Sequence, residues 1–185
     1  MRKIAAKPTP AELRSAAGKT VPDVIAPHLH VLFCGINPGL YSGATGHHFA
    51  RPGNRFWPAL QQAGFTDRLL SPWDERDLLR RGCGVTNLVA RATASARELT
   101  LEELLHGRRK LLAKVRRYMP RFVAVLGITA YRSAFGQPQA VLGRQAGAFG
   151  GATLWVLPNP SGSNAHHQLP DLARMFRELR EATFG

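Results

Sequence analysis

The sequence is short of acid and short of cysteine. Its 185 residues carry 12 Asp+Glu against 25 Lys+Arg, a formal net charge of +13 and a sequence pI near 11.2. A field of that sign attracts polyanions, and nucleic acid is the commonest of these in a cytosol. Two cysteines, Cys34 and Cys83, exclude a disulfide framework and a four-cysteine iron–sulfur cluster. No run of about 18 apolar residues is present, so no membrane span is expected. The basic start, MRKIAAKPTP, has no apolar stretch of the signal-peptide kind, and it is expected to be a flexible tail that touches phosphates. Standard chemical motifs are missing too. There is no G-x-x-x-x-G-K-[ST], GINPGL does not fit G-x-G-x-x-G, and no H-E-x-x-H, spaced Cys/His set or G-x-S-x-G elbow occurs. The adjacent pairs His47–His48 and His166–His167 are expected to diverge rather than to share a metal. A cofactor-poor cytosolic protein is the expectation.

What is present is an ordinary globular composition, 44% hydrophobic and 20% charged, in a chain long enough for one domain. Residues 1–26 read as a basic tail with a short helix over 10–19, and residues 27–185 as a single domain. Short apolar runs predict strands over 30–36, 83–89 and 121–128, followed by a strand pair in AGAFGG and TLWVLPNPSG. Helices are predicted over 54–65, with Asn54 as cap, and over 71–82, where a Ser cap, an early Pro, late arginines and a closing Gly all agree. Further helices are predicted over 100–119, 129–135 and 169–184. Strands alternating with helices predict a three-layer α/β/α sandwich around a mainly parallel sheet. Ligands bind outside the carboxyl ends of such strands, where GINPG, TNLVAR and PNPSG are expected to meet.

The stretch FCGINPGLYSGATGHHFARPGNRFW (33–57) contains no acidic side chain. Its glycines allow backbone N–H groups to approach a ligand closely, Phe49 can stack on a planar ring, and Asn37 and Asn54 carry both donors and acceptors. That equipment reads a nucleobase edge. It also suits a plain strand-to-helix turn, in which Asn and Gly only satisfy geometry; composition leaves the two readings even.

The same stretch, with QAGF, CGVTNLV, GRRKL and WVLPNPSG downstream, resembles the mismatch-specific uracil-DNA glycosylase and thymine-DNA glycosylase family over nearly all of the chain after Pro27. The resemblance implies the same sandwich fold. It also implies cleavage of the N-glycosidic bond of uracil, or of thymine or another damaged pyrimidine, opposite guanine in double-stranded DNA. Asn37 matches the water-positioning asparagine, Phe49 the stacking aromatic and Asn54 a pocket residue. Backbone groups of Ile36 and Gly39 match those that hold the uracil edge, with Tyr41 and Ser42 beside them. Asn159, Pro160, Ser161 and Gly162 match the loop that enters DNA where the base has left. No cofactor and no metal are implied, and no lysine stands in these loops as a Schiff-base nucleophile. A monomer working on mismatched duplex in the bacterial cytoplasm, at the nucleoid, is expected.

An amide orients a water but cannot take its proton, so this chemistry leans on the leaving group, with backbone donors stabilising the uracil anion. Mismatched pairs are the cheapest to open. Arg51 and Arg55 are the expected phosphate contacts, ahead of the cluster Arg108–Arg117. Five positions depart from the family pattern. Ser163, Asn164 and Ala165 follow NPSG where a bulky wedge and an arginine are usual, Asn87 replaces a frequent lysine, and Ala90 a frequent aspartate. Ala90 is therefore expected at a weakened catalytic position, where aspartate would raise the rate. A DNA-damage-binding module with catalysis lost is the alternative from another class. Intact Asn37 favours the enzyme, and the altered wedge favours the module.

Overall fold

The computed structural model describes residues 7–185; the first six, which hold most of the expected flexible tail, lie outside them. Strands β1 (Val31–Gly35), β2 (Cys83–Asn87), β3 (Phe122–Leu126), β4 (Gly143–Phe149) and β5 (Ala152–Leu157) form one sheet. Its order is β2-β1-β3-β5-β4, parallel except for β4, which closes one edge antiparallel to β5. β1 and β3 are buried along their whole length, as strands covered on both faces must be.

Alternation along β1 divides the core in two. Val31 and Phe33 face a layer built by α3 (Phe56–Gln62) and α6 (Leu169–Phe184), with Phe56, Leu60 and Phe176. Leu32 and Cys34 face α4 (Leu101–Tyr118) and α5 (Ile128–Phe135), with Leu111, Val115 and Tyr131. The Phe33 ring lies 5.5 Å from Phe56, 5.4 Å from Phe65 and 5.9 Å from Phe176. Truncating it to alanine is expected to cost about 3–5 kcal/mol. α4 starts as its sequence reads, with Thr100 and Glu103 capping each other's backbone. The expected sandwich is therefore present. Among the described residues no helix is long and apolar enough to cross a membrane.

Four local readings are corrected. The helix expected over 10–19 is only α1 (Pro10–Arg14). The residues beyond it are no tail: Ala16, Val21 and Val24 are buried. Val24 exchanges backbone hydrogen bonds of 2.9 and 2.8 Å with Val85, which covers the outer edge of β2. The segment Pro72–Arg81 is a 3₁₀ helix between the Ser71–Asp74 capping box and Gly82. Glu75 and Leu78, three residues apart, are both buried, and three residues per turn put them on one line. α2 (Leu40–Thr45) occupies part of the loop that reads as turn throughout; there Gly43 fits so closely that a Cβ would come within 2.7 Å of the Ala92 side chain, so packing overrides propensity.

Candidate active site

At the carboxyl ends of β1, β2, β3 and β5 lies a cavity of about 330 Å³. It gathers Ile36, Asn37, Gly39, Ser42, Phe49 and Asn54 from the segment after β1, Asn87 from the end of β2, and Asn159, Pro160, Ser161 and Ser163 from the segment after β5. Among the described residues the lining contains no Asp or Glu, and its two arginines are Arg51 and Arg97. Gly35 makes the floor possible. A Cβ there would stand 2.6 Å from Asn87 Oδ1 and 3.3 Å from the Phe49 ring.

Asn37 is held by one end of its amide. Nδ2 donates to Thr93 Oγ1 at 2.7 Å, to the Arg91 carbonyl at 3.0 Å and to the Pro38 carbonyl at 3.2 Å. Carbonyls only accept, so these partners fix which end is nitrogen. Thr93 passes its own proton to the Ser95 carbonyl at 2.8 Å. Oδ1 is thereby left as the acceptor end. Arg91 is in turn clasped by Glu103, Nε to Oε1 at 2.5 Å and a second contact at 3.0 Å. The Arg91 bonds, and then the Thr100 backbone, hold the Glu103 carboxyl down to about 2. The start of α4 thus anchors the peptide that anchors Asn37.

Asn87 is oriented by a second relay. His48, only 2% exposed, donates Nε2–H to the Pro22 carbonyl at 2.9 Å. Its Nδ1 must then be the acceptor, and Asn87 Nδ2 lies 3.3 Å from it. Burial is the largest influence on this imidazole and pushes its pKa down, which keeps the acceptor form at neutral pH. The Asn87 carbonyl oxygen is the end turned toward Gly35. Glu75 secures the loop itself, accepting from the His48 backbone N–H at 2.9 Å and meeting His47 Nδ1 at 2.9 Å. Phe49, at φ 52°, stacks on Phe56 with centroids 4.1 Å apart, so its ring is a supported wall of the cavity. Ser42 Oγ accepts the Ala50 N–H at 3.2 Å. Asn54 Oδ1 takes the Phe56 N–H at 2.9 Å, one residue outside the cap position expected of it, because Arg55 is the cap and α3 starts one residue later than an Asn54 cap implies.

The loop after β5 is tied from within and from below. Asn159 Oδ1 accepts the Ser161 N–H at 2.9 Å, Asn164 Nδ2 donates to the Asn159 carbonyl at 2.9 Å, and the Ser161 and Ser163 hydroxyls lie 2.8 Å apart. A Cβ on Gly162 would sit 2.7 Å from the Gly53 carbonyl oxygen, so the two loops pack backbone to backbone. Arg55 differs from its expected phosphate role. Its guanidinium donates to the carbonyls of His167 at 2.7 Å, Asn164 at 3.0 Å and Gly162 at 3.1 Å, and its backbone N–H to that of Pro160 at 2.9 Å. It is the clamp of this loop. Arg51 is exposed at the cavity rim.

Ala90 stands three residues past the end of β2, after Leu88 and Val89, which are buried and donate to the Gly35 and Ile36 carbonyls; Ala90 itself is exposed and outside the cavity lining. The segment that returns to the cavity is Thr93–Arg97. Sequence reading missed Thr93, His48 and Arg97. The one signal, for Thr93 and Arg97 only, is the hydroxyl-rich TAS that ends in the Ser95 cap, which marks a turn but not its neighbours.

Comparison with known proteins agrees with this geometry. A family model described as the uracil DNA glycosylase superfamily matches residues 22–182. The fold is similar to a solution NMR structure of a Methanosarcina acetivorans protein named as a candidate uracil DNA glycosylase. That match has a TM-score of 0.55 at 16% identity and covers 88% of this chain and 98% of the other.

Proposed function

The chain belongs to the uracil DNA glycosylase superfamily, and from that premise we propose that it is a monofunctional, mismatch-specific glycosylase that removes uracil opposite guanine from double-stranded DNA. One observation carries the reading: among the described residues, the cavity has an asparagine whose acceptor end is not taken up and no carboxylate in its lining.

The chemistry follows from that lining. A water donating one hydrogen to Asn37 Oδ1 turns a lone pair toward C1′ of the sugar, but the amide cannot remove its proton. A general base ordinarily contributes about 10²–10⁴-fold, so bond breaking must lead. The C1′–N1 bond lengthens, positive charge grows on the sugar, and negative charge grows on the departing base. Backbone N–H groups of the Ile36–Gly39 loop stabilise that anion where it forms. An acid in the lining would oppose it. The flipped base stacks against Phe49, and the target leaves the duplex most easily from a mismatch, which lowers the unpairing cost of a few kcal/mol. Asn159–Asn164 fills the vacated place in the stack, and Arg51 with Arg97 meets phosphate.

A labelled U·G duplex tests this. Incubation followed by alkali is expected to cut the strand at the uracil, with no cut before alkali. Tight binding without an alkali-labile site would leave the damage-binding module as the function. Thymine opposite guanine is the second substrate to try.

A further inference from the structure

A second cavity, about 670 Å³ and more open, adjoins the first and shares Phe49, Arg51 and Asn54 with it. Its far wall is Leu69 and Trp73, exposed by 54% and 47%. Large apolar side chains at that exposure, in a groove, mark a contact surface. Lys7, Arg51 and Arg68 also line it, and its one acid, Asp74, is engaged by the Ser71 backbone N–H, the Ser71 hydroxyl and Arg68.

We propose that this groove holds an unpaired nucleotide of the target strand next to the flipped one, its base stacked on Trp73 and its phosphate drawn to Arg51 and Lys7. The inference rests on the glycosylase reading and deepens it, since it makes single-stranded or locally open DNA a substrate the protein grips directly. Three observations select this occupant. An indole among cations is the equipment of a single-strand stacking platform. The groove is continuous with the base cavity through Arg51, so one strand can serve both. And Trp73 is held in place from behind: its ring is 5.6 Å from His47, outside the residues that line the base cavity. An apolar peptide would make no use of the cations.

Tryptophan emission reads the groove without any cleavage. Of the three tryptophans, Trp155 is buried and outside the groove, and Trp57, which also lines it, is only 4% exposed, so Trp73 supplies most of the accessible signal. Undamaged oligo-dT is expected to quench emission saturably in the wild-type protein, and most of that quenching is expected to be lost in Trp73→Phe. In single-turnover cleavage, Trp73→Ala is expected to raise the half-saturating concentration for single-stranded uracil substrate about tenfold, as loss of one base–aromatic stack does. The maximal rate should stay unchanged, paired substrate should be affected less, and Trp73→Phe should restore most of the loss. Emission indifferent to oligo-dT, as a groove meant for an apolar peptide or a second copy would give, overturns the proposal. So does an equal effect of Trp73→Ala on single-stranded and paired substrates. If no uracil is cleaved at all, the glycosylase reading fails while the quenching still decides the groove.

Discussion

Two strands of the sheet end in the same dipeptide. After β1 comes Asn37–Pro38, and after β5 comes Asn159–Pro160, yet the two amides are used in opposite ways. Asn37, a residue of the cavity lining, spends its nitrogen on residues more than fifty positions away, Arg91 and Thr93. Asn159 spends its oxygen two residues away, on the Ser161 N–H, in a local Asx turn. One asparagine is a tool held by the fold, and the other is a piece of the fold. The difference is made entirely by the segment Arg91–Ser95, which reaches Asn37 and not Asn159.

That contrast sets the order of expected effects. Asn37→Ala removes the proposed water acceptor and should lower the single-turnover rate on a U·G duplex at least about tenfold, with duplex affinity little changed; an unchanged rate would make the two asparagines equivalent. Next comes Arg55→Ala, which takes three donors from the loop carbonyls of Gly162, Asn164 and His167. It is expected to weaken binding of paired substrate several-fold and to speed proteolysis within 159–167, while cleavage of single-stranded uracil holds. Equal losses on both substrates would show that the loop does not enter the helix. Smallest is Ala90→Asp. The sequence alone expects a faster enzyme; the exposed position outside the cavity predicts rates within about twofold, as surface substitutions away from a site allow. A new ionisation in its pH–rate profile would return residue 90 to the active site.

The same contrast explains what was legible in the sequence. The sheet, the two-sided core and the gathering of the GINPG and PNPSG loops follow from short apolar runs and glycine punctuation, which are local signals. Phe49 and Asn87 also arrive where expected. Ala90 arrives past the end of β2, but exposed and outside the cavity lining, a burial that a short apolar run does not encode. Arg55, a cation beside a basic loop, reads as a phosphate contact until three carbonyls are found around it. His48 stayed invisible for the reason that it matters: its partners, Pro22 and Asn87, lie 26 and 39 residues away, and no spacing rule links them. The 3₁₀ segment Pro72–Arg81 shows the complement, since its Ser71 and Gly82 caps are plain in the sequence and only the pitch is decided by burial.

The central claim is that an amide orients the water and no group in the cavity takes its proton. Single-turnover rates on a saturating U·G duplex, measured from pH 5 to 9, test it most directly. The His48 pKa lies below the ordinary imidazole value, so the neutral ring that accepts from Asn87 is fully present at pH 7 and above. It is lost only as pH falls below that ordinary range, where protonation turns Nδ1 into a donor facing another donor. The account predicts a level rate from pH 7 to 9, a decline only on the acid side, and no acid decline due to this ring in His48→Gln. A rate that still climbs between pH 7 and 9, or an acid decline that persists undiminished in His48→Gln, would reveal a general base at work and would contradict it.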